Sequence, residues 1–227
     1  MENYILVDDT ENIWNTLQLC NVEHQGEVRV DLILDNAGFE LFCDLCFADF
    51  LCSKNIVQFV VFHVKEMPWF VSDTTQEDFE WMLGQMRTFA DRPMLKKCAV
   101  QWEEWIKCRR WQIRGHHFWT TPHSFDRMTN VAPTLYSELS RSHLLIFKGD
   151  LNYRKLTGDR NWGHTTPFET SLRGFQPAAL CTLRTLKADV VVGLLPNQAE
   201  NVQAQHENWM ISGDYAVIQF HQPGILH

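Results

Sequence analysis

The sequence lacks a surplus of basic residues. Its 227 residues include 20 lysines and arginines against 28 aspartates and glutamates, which gives a formal net charge of −8. Proteins that bind nucleic acid need clustered positive charge to replace the counterions of the phosphate backbone, and no basic stripe is present here. We therefore expect no nucleic-acid partner.

Long apolar runs and paired cysteine motifs are missing too. No uncharged stretch approaches the about 20 residues that a helix needs to cross a bilayer, so we expect no membrane span. Seven cysteines form an odd set, and no second pair at a zinc-like spacing accompanies Cys43 and Cys46. We interpret the cysteines as buried thiols of the reducing cytoplasm or nucleus.

The apolar runs that are present predict an α/β fold. β-Branched and apolar residues fill 28–34 and 56–62, and a helix-periodic stretch at 39–51 separates them. Two buried strands joined by a helix form a βαβ unit with parallel strands. Further strands are predicted at 144–147, twice within 180–194, and near 215–220. The expected fold is a three-layer α/β/α sandwich with a mostly parallel sheet, as a single domain over residues 1–227.

Polar side chains follow the first two core strands. Asp35 and Asn36 come directly after the strand at 28–34, and Asp73 lies in a loop between the next strand and a helix. Ligands of open α/β sheets bind outside the carboxyl ends of the strands. Carboxylate and amide oxygens suit Mg²⁺ or Mn²⁺, so these three residues are candidate metal ligands. The alternative is that each residue is a helix N-cap, a position that Asp and Asn favour.

A third strand end carries the densest group of polar residues. The strand at 144–147 leads into a predicted loop with one acidic and three basic residues, namely Asp150, Lys148, Arg154 and Lys155. The basic residues can neutralise a phosphate, and Asp150 can accept a proton or hold a hydroxyl group. Arg184 and Lys187, in a basic turn, are a second candidate phosphate pair. In both cases the alternative is a charged, solvated surface.

Three histidines, His116, His117 and His123, raise the hypothesis of a zinc site. Adjacent side chains of a strand point to opposite faces, so His116 and His117 are not expected to bind the same metal ion. We interpret the three as surface and packing residues.

Four motifs, in this order, resemble those of the damage-control phosphatases, a metal-dependent family. They are 35–40 (DNAGFE), 68–75 (PWFVSDTT), 148–159 (KGDLNYRKLTGD) and 184–187 (RTLK). The last motif is similar to the mark of subfamily III, whose members act on sugar phosphates such as fructose 1-phosphate. The resemblance spans almost the whole chain.

The resemblance implies a cofactor, a substrate class and residue roles. A divalent metal, Mn²⁺, Ni²⁺, Co²⁺ or Mg²⁺, is expected to be held by Asp35, Asn36 and Asp73. The residues expected to contact a sugar phosphate are Asp35, Asn36, Asp150, Leu151, Asn152, Tyr153, Arg154 and Lys187. Asp35 and Asp150 are the expected catalytic residues in the hydrolysis of the phosphate monoester. No oligomeric state is implied.

Two alternative functions stay open. One is methyl transfer from S-adenosylmethionine to protein glutamate, although no glycine-rich cofactor turn follows the first strand. The other is a truncated metal-binding domain without turnover, since the resemblance leads us to expect that the family's helical amino-terminal region is absent. We expect such a chain to bind metal, to hydrolyse sugar phosphates slowly and to self-associate through exposed apolar residues.

Overall fold

The computed structural model describes residues 4–24 and 27–224. The strands in these ranges are β1 (Ile5–Asp8), β2 (Arg29–Ile33), β3 (Phe59–Val64), β4 (Trp111–Gly115), β5 (Leu144–Lys148), β6 (Leu180–Thr185) and β7 (Ala216–His221). The α-helices are α1 (Thr10–Glu23), α2 (Phe39–Ser53), α3 (Gln76–Thr88), α4 (Pro93–Lys107), α5 (Met128–Val131), α6 (Pro133–Leu139), α7 (Gly149–Thr157), α8 (Phe168–Ser171) and α9 (Gln198–Gln205). No helix within these two ranges is both long and apolar enough to cross a membrane.

The chain divides into two compact units, one of Leu17–Thr121 and one of Met1–Thr16 with Pro122–His227. In the first of these, β2 pairs with β3 and β3 with β4, all in parallel. In the other, β1 pairs with β7 and β5 with β6 in parallel, whereas β6 and β7 are antiparallel. The predicted fold class, an α/β/α sandwich with a mostly parallel sheet, is confirmed. The single domain over 1–227 stays a prediction.

The unit of Leu17–Thr121 contains a buried ionic network on β2 and β3. Asp31 is fully buried, accepts hydrogen bonds from Arg29 at 2.7 and 2.6 Å, and lies 2.8 Å from Nε2 of His63. Burial by itself raises the pKa of Asp31, but the hydrogen bonds and positive charge of His63 and Arg29 outweigh it and hold the pKa below its usual value. A charged residue is thereby accommodated inside the predicted apolar strand.

Two predicted strands differ from the structure. The second core strand begins at Phe59, because the backbone N–H groups of Ile56 and Val57 donate to Leu51 and close the end of α2. The predicted second strand within 180–194 is wrong. Gly193 adopts a φ of 76°, and its N–H donates to the loop residue Thr166, so the segment follows a loop instead of a strand.

The predicted loop at 148–155 is also wrong, because β5 leads directly into helix α7. Gly149 takes a φ of 82°, which lets the chain turn from strand to helix without an intervening loop. The amide of Asn152 then donates to the carbonyl of Lys148 at 2.8 Å and secures the first turn. Asp150 therefore lies at a helix N-terminus.

The interpretation of the cysteines as buried thiols is wrong for most of them. Cys52 and Cys181 are buried, but Cys43, Cys46 and Cys108 are exposed. Helix α2 buries the face formed by Leu41, Leu45, Ala48 and Cys52, and the 3.6-residue period turns Cys43 and Cys46 away from it. The cytoplasmic or nuclear location inferred from these residues stays a prediction.

The start of helix α3 offers a simple test of local structure. Thr75 accepts from the N–H of Asp78 at 3.3 Å, and Asp78 accepts in return from the N–H of Thr75 at 2.9 Å, which is a capping box. We expect Thr75→Ala to lower the free energy of unfolding by about 1 kcal/mol in urea denaturation. Thr88→Ala, at the other end of the helix, is the control. Equal effects of the two variants would contradict the capping role.

Candidate active site

Backbone hydrogen bonds join the segment after β2 to the segment before α3. The backbone N–H of Thr74 donates to the backbone carbonyl of Asp35 at 2.8 Å, and that of Ala37 donates to the backbone carbonyl of Ser72 at 2.7 Å. Asn36 and Asp73 form an isolated antiparallel bridge between these donors. Asp35, Asn36 and Asp73, which are distant in sequence, are therefore brought together, as the sequence predicts.

The side chains of Asp35 and Asp73 converge on one nitrogen. Nζ of Lys65 lies 2.7 Å from Oδ1 of Asp73 and 3.7 Å from Oδ1 of Asp35. The backbone N–H of Phe70 donates to Oδ2 of Asp73 at 2.7 Å. All three ionisable side chains are buried, with at most 8% of each residue exposed. Sequence reasoning missed Lys65, because a lysine at the end of an apolar strand gives no signal of its own.

Asn36 completes this oxygen-rich group. Its amide nitrogen donates to Oδ2 of Asp35 at 3.0 Å and to Glu40 at 2.8 Å, and its oxygen accepts from the hydroxyl of Ser72 at 2.6 Å. Both ends of the amide are thus engaged, so the side chain is held beside Asp35.

None of the three predicted ligands caps a helix. The N-cap position of α2 is Gly38, without a side-chain hydrogen bond, and that of α3 is Thr75. The alternative interpretation of Asp35, Asn36 and Asp73 as N-caps is therefore wrong. Their placement calls for another explanation.

The donor set fits a hard divalent cation. Two carboxylates and one amide oxygen are ligands that Mg²⁺ and Mn²⁺ accept, and the remaining positions of such ions are commonly filled by water or substrate. Among the described residues, no group of three or more His, Cys, Asp or Glu side chains is placed to hold a metal ion. A metal ion bound here would therefore need the amide oxygen of Asn36 as a donor beside Asp35 and Asp73.

A second cluster lies at the ends of β5 and β6, in the unit containing Pro122–His227. Oδ1 of Asp150 accepts from Nε of Arg184 at 2.8 Å and from the backbone N–H of Lys187 at 3.2 Å. Asp150 and Lys187, both predicted from the sequence, are therefore neighbours. The side chain of Lys187 is exposed and available to solvent.

Arg184 is a structural residue of this cluster. It is 2% exposed, its Nη2 donates to the carbonyl of Ala188 at 3.0 Å, and its Nη1 donates to that of Val190. Its guanidinium also stacks over the ring of Tyr153, 4.1 Å from the centroid. Because its nitrogens are occupied, Arg184 belongs neither to a phosphate pair nor to a solvated surface, and both hypotheses are wrong for this residue.

The remaining predicted substrate residues have internal partners. The hydroxyl of Tyr153 accepts from the N–H of Val192 at 3.1 Å, and burial raises the pKa of Tyr153 to about 12, so its hydroxyl stays protonated. Arg154 forms a bidentate pair with Asp159 at 3.0 and 2.7 Å, which raises the pKa of Arg154. Leu151 is half-buried in the same helix. Substrate binding by these residues and by Asn152 stays a prediction.

A cavity of about 590 Å³ lies beside Lys65 in the unit of Leu17–Thr121. Its walls carry three carboxylates, those of Glu66, Glu77 and Glu80, and its lining does not include Asp35 or Asp73. Three like charges repel a phosphate monoester. We therefore do not assign the substrate to this cavity.

His116 and His117 do not point to opposite faces. A 3₁₀ helix, His117–Thr120, begins at the second histidine, and the two rings stack with centroids 4.6 Å apart. The prediction from strand geometry is wrong because β4 has already ended at Gly115. Nδ1 of His116 accepts from the N–H of Phe118 at 3.0 Å, which gives this residue a capping role.

The chain is similar in sequence to a family of phosphatases. Residues 1–202 match the family model described as the damage-control phosphatase ARMT1-like domain, and the chain belongs to this family. It is 51% identical over 226 residues to damage-control phosphatase ARMT1 of Danio rerio, covering 98% of this chain and 50% of that protein. It is 47% identical over 225 residues to the Homo sapiens protein of the same name, covering 98% and 51%. The chain spans about half the length of these curated relatives. The predicted family resemblance is confirmed.

Proposed function

We propose that this chain carries a metal-dependent phosphatase activity toward monoesters of small sugars, of the fructose 1-phosphate kind. One observation carries the proposal. In a chain of the ARMT1-like family, two buried carboxylates and an amide oxygen are brought together after β2 and held there by the backbone of a second segment. The name of the relatives, damage-control phosphatase, supports the same class of reaction.

Asp35, Asn36 and Asp73 would hold the metal ion, which could be Mn²⁺, Ni²⁺, Co²⁺ or Mg²⁺. A bound divalent cation supplies a Lewis acid that polarises a phosphoryl oxygen. The protein's part is to fix its donors in advance. Asp73 is oriented by the N–H of Phe70, and Asp35 by the amide of Asn36. Ligands that are themselves hydrogen-bonded keep their direction, which favours tight metal binding.

Lys187 and the start of α7 would bind the phosphate ester. Helix α7 begins without a side-chain cap, and the N-terminus of a helix presents N–H donors and a partial positive charge to an anion. The exposed ammonium of Lys187 adds a full charge, and its backbone is fixed by Asp150. Asp150 would receive a sugar hydroxyl or a proton on Oδ2, since Oδ1 is engaged with Arg184 and Lys187. Phosphoryl transfer depends mainly on such positioning and charge.

Lys187→Ala is expected to raise KM for fructose 1-phosphate by about ten- to a hundredfold, the usual cost of losing one charge-assisted contact. Mn²⁺ affinity should stay unchanged, because Lys187 is assigned to the phosphate and not to the metal. Lys107→Ala, which removes an exposed lysine paired with Glu104, is the control. Unaltered kinetics in Lys187→Ala would make Lys187 a solvated surface residue without a role in substrate binding.

A direct screen tests the reaction class. The purified chain is incubated with a panel of sugar phosphates and each divalent metal, and release of inorganic phosphate is measured beside transfer of labelled methyl groups from S-adenosylmethionine. We expect metal-stimulated phosphate release without methyl transfer. Methyl transfer to carboxyl groups would favour the methyltransferase alternative. Phosphate release equal to the buffer blank, together with normal metal affinity, would favour an inactive metal-binding domain.

A further inference from the structure

Lys65 occupies an unusual position for a lysine. It is 3% exposed, and its ammonium lies within 4 Å of two carboxylates that are themselves buried. Lysine is almost never fully buried unless it is paired. Its backbone N–H also donates to the carbonyl of Thr74 at 3.0 Å, so the residue is tied to the segment that carries Asp73.

The carboxylate of Asp73 depends on this ammonium for its charge balance. Asp73 is 2% exposed, and its side chain accepts two hydrogen bonds, one from Nζ of Lys65 and one from the neutral N–H of Phe70. A buried carboxylate without a positive partner is strongly destabilising. The contact of 2.7 Å therefore neutralises a charge that would otherwise oppose folding.

We propose that Lys65 is the resident counter-ion of this centre: its ammonium neutralises the paired carboxylates and keeps the metal ligands converged in the metal-free protein. The proposal rests on the proposed function in treating Asp35, Asn36 and Asp73 as metal ligands. Lys65 is accordingly a positioning residue, which acts through Asp35 and Asp73 without contacting the substrate.

This role uncouples folding from metal binding. Small domains built around a structural metal commonly fold only when the metal is bound, because the free energy of metal binding is needed for folding. With Lys65 in place, the chain folds first and receives the metal afterwards. Without it, the divalent ion must supply the missing positive charge, and stability becomes dependent on metal.

The test measures the melting temperature of the full chain with EDTA and with saturating MnCl₂. Breaking a buried ion pair in a chain of this size corresponds to a fall on the order of 10 °C, which we expect for Lys65→Met in EDTA. Saturating Mn²⁺ should recover most of that loss, so the variant gains more from the metal than the native chain does. Lys107→Met, the same change at an exposed ion pair, should shift the melting temperature by at most a few degrees in either condition.

A double variant, Lys65→Met with Asp73→Asn, separates charge from packing. Neutralising Asp73 removes the need for a counter-ion, so this variant should be more stable in EDTA than Lys65→Met alone. A Lys65→Met chain as stable as the native one in EDTA would overturn the proposal. The proposal would also be overturned if Lys65→Met and the double variant were both unfolded in EDTA.

Failure of the proposed metal site gives a different result. If Mn²⁺ does not change the melting temperature of the native chain, the assignment of Asp35, Asn36 and Asp73 as metal ligands is wrong. The counter-ion role is then decided by the EDTA measurements alone, through the comparison of the single and double variants.

Discussion

Asp35→Ala is expected to abolish metal-stimulated phosphate release while leaving the chain folded. The substitution removes one of the two carboxylates that converge on Lys65, and the remaining ion pair with Asp73 keeps that lysine neutralised. A metal ligand contributes directly to affinity, so Mn²⁺ binding measured by calorimetry should fall below detection. A residue that merely capped a helix would cost about 1 kcal/mol of stability and leave metal binding unchanged.

Asp91→Ala is the matched control for this experiment. Asp91 is an exposed carboxylate paired with Arg92, and it is not one of the predicted ligands. Both variants lose one negative charge, so a general effect of charge on metal binding would appear in both. Native Mn²⁺ affinity in Asp35→Ala would remove Asp35 from the metal site and, with it, the main support for the proposed function.

The second large effect is expected for Arg184→Met. This substitution leaves Asp150 without its guanidinium partner and removes the donors to the carbonyls of Ala188 and Val190. Losing one member of a buried ion pair costs about 3–5 kcal/mol, which urea denaturation would show as a lower midpoint at an unchanged m value. Because Asp150 and the Lys187 backbone share this contact, KM for the sugar phosphate should rise as well.

Arg184→Lys and Arg154→Met complete the comparison. Lysine retains the charge but cannot reproduce the planar fork that serves three acceptors, so Arg184→Lys should recover only part of the stability. Arg154 forms a partly exposed pair with Asp159, and its loss should cost less than about 1 kcal/mol. If Arg184→Met lowered the free energy of unfolding by no more than Arg154→Met, the buried network would contribute little to folding.

The proximity of Asp35, Asn36 and Asp73 could be predicted because their pattern is local. Asp35 and Asn36 interrupt an apolar strand abruptly, and Asp73 follows the next strand, so the general geometry of parallel sheets indicates that they meet. Lys65 could not be predicted in the same way. Its importance arises from the 2.7 Å contact with Asp73, eight positions further along the chain, and a lysine at a strand end is ordinarily solvated.

The second cluster shows the limits of reasoning from charge. The run from Lys148 to Lys155 is rich in charged residues and contains a glycine, which favours a loop, yet from Gly149 onward it forms most of helix α7. The positive φ of Gly149 makes the abrupt turn, and charged residues such as Arg154 and Lys155 are good helix formers. Arg184 was misjudged for a related reason, because a sequence does not reveal that a guanidinium is enclosed by carbonyl groups.

Because β7 runs antiparallel to β6, the two ends of the chain differ as positions for a purification tag. Thr185, at the carboxyl end of β6, pairs with Ala216, and Ile5 pairs with Ala216 from the other side. The first residue of β1 therefore lies at the end of the strands where Lys148 and Arg184 are found. The last residue of β7 lies at the other end of the strands, beside Leu180. A peptide fused after β7 emerges away from the cluster of Asp150 and Lys187, whereas one fused before β1 emerges on its side. Kinetic comparisons of the variants above are best made with carboxyl-terminal fusions.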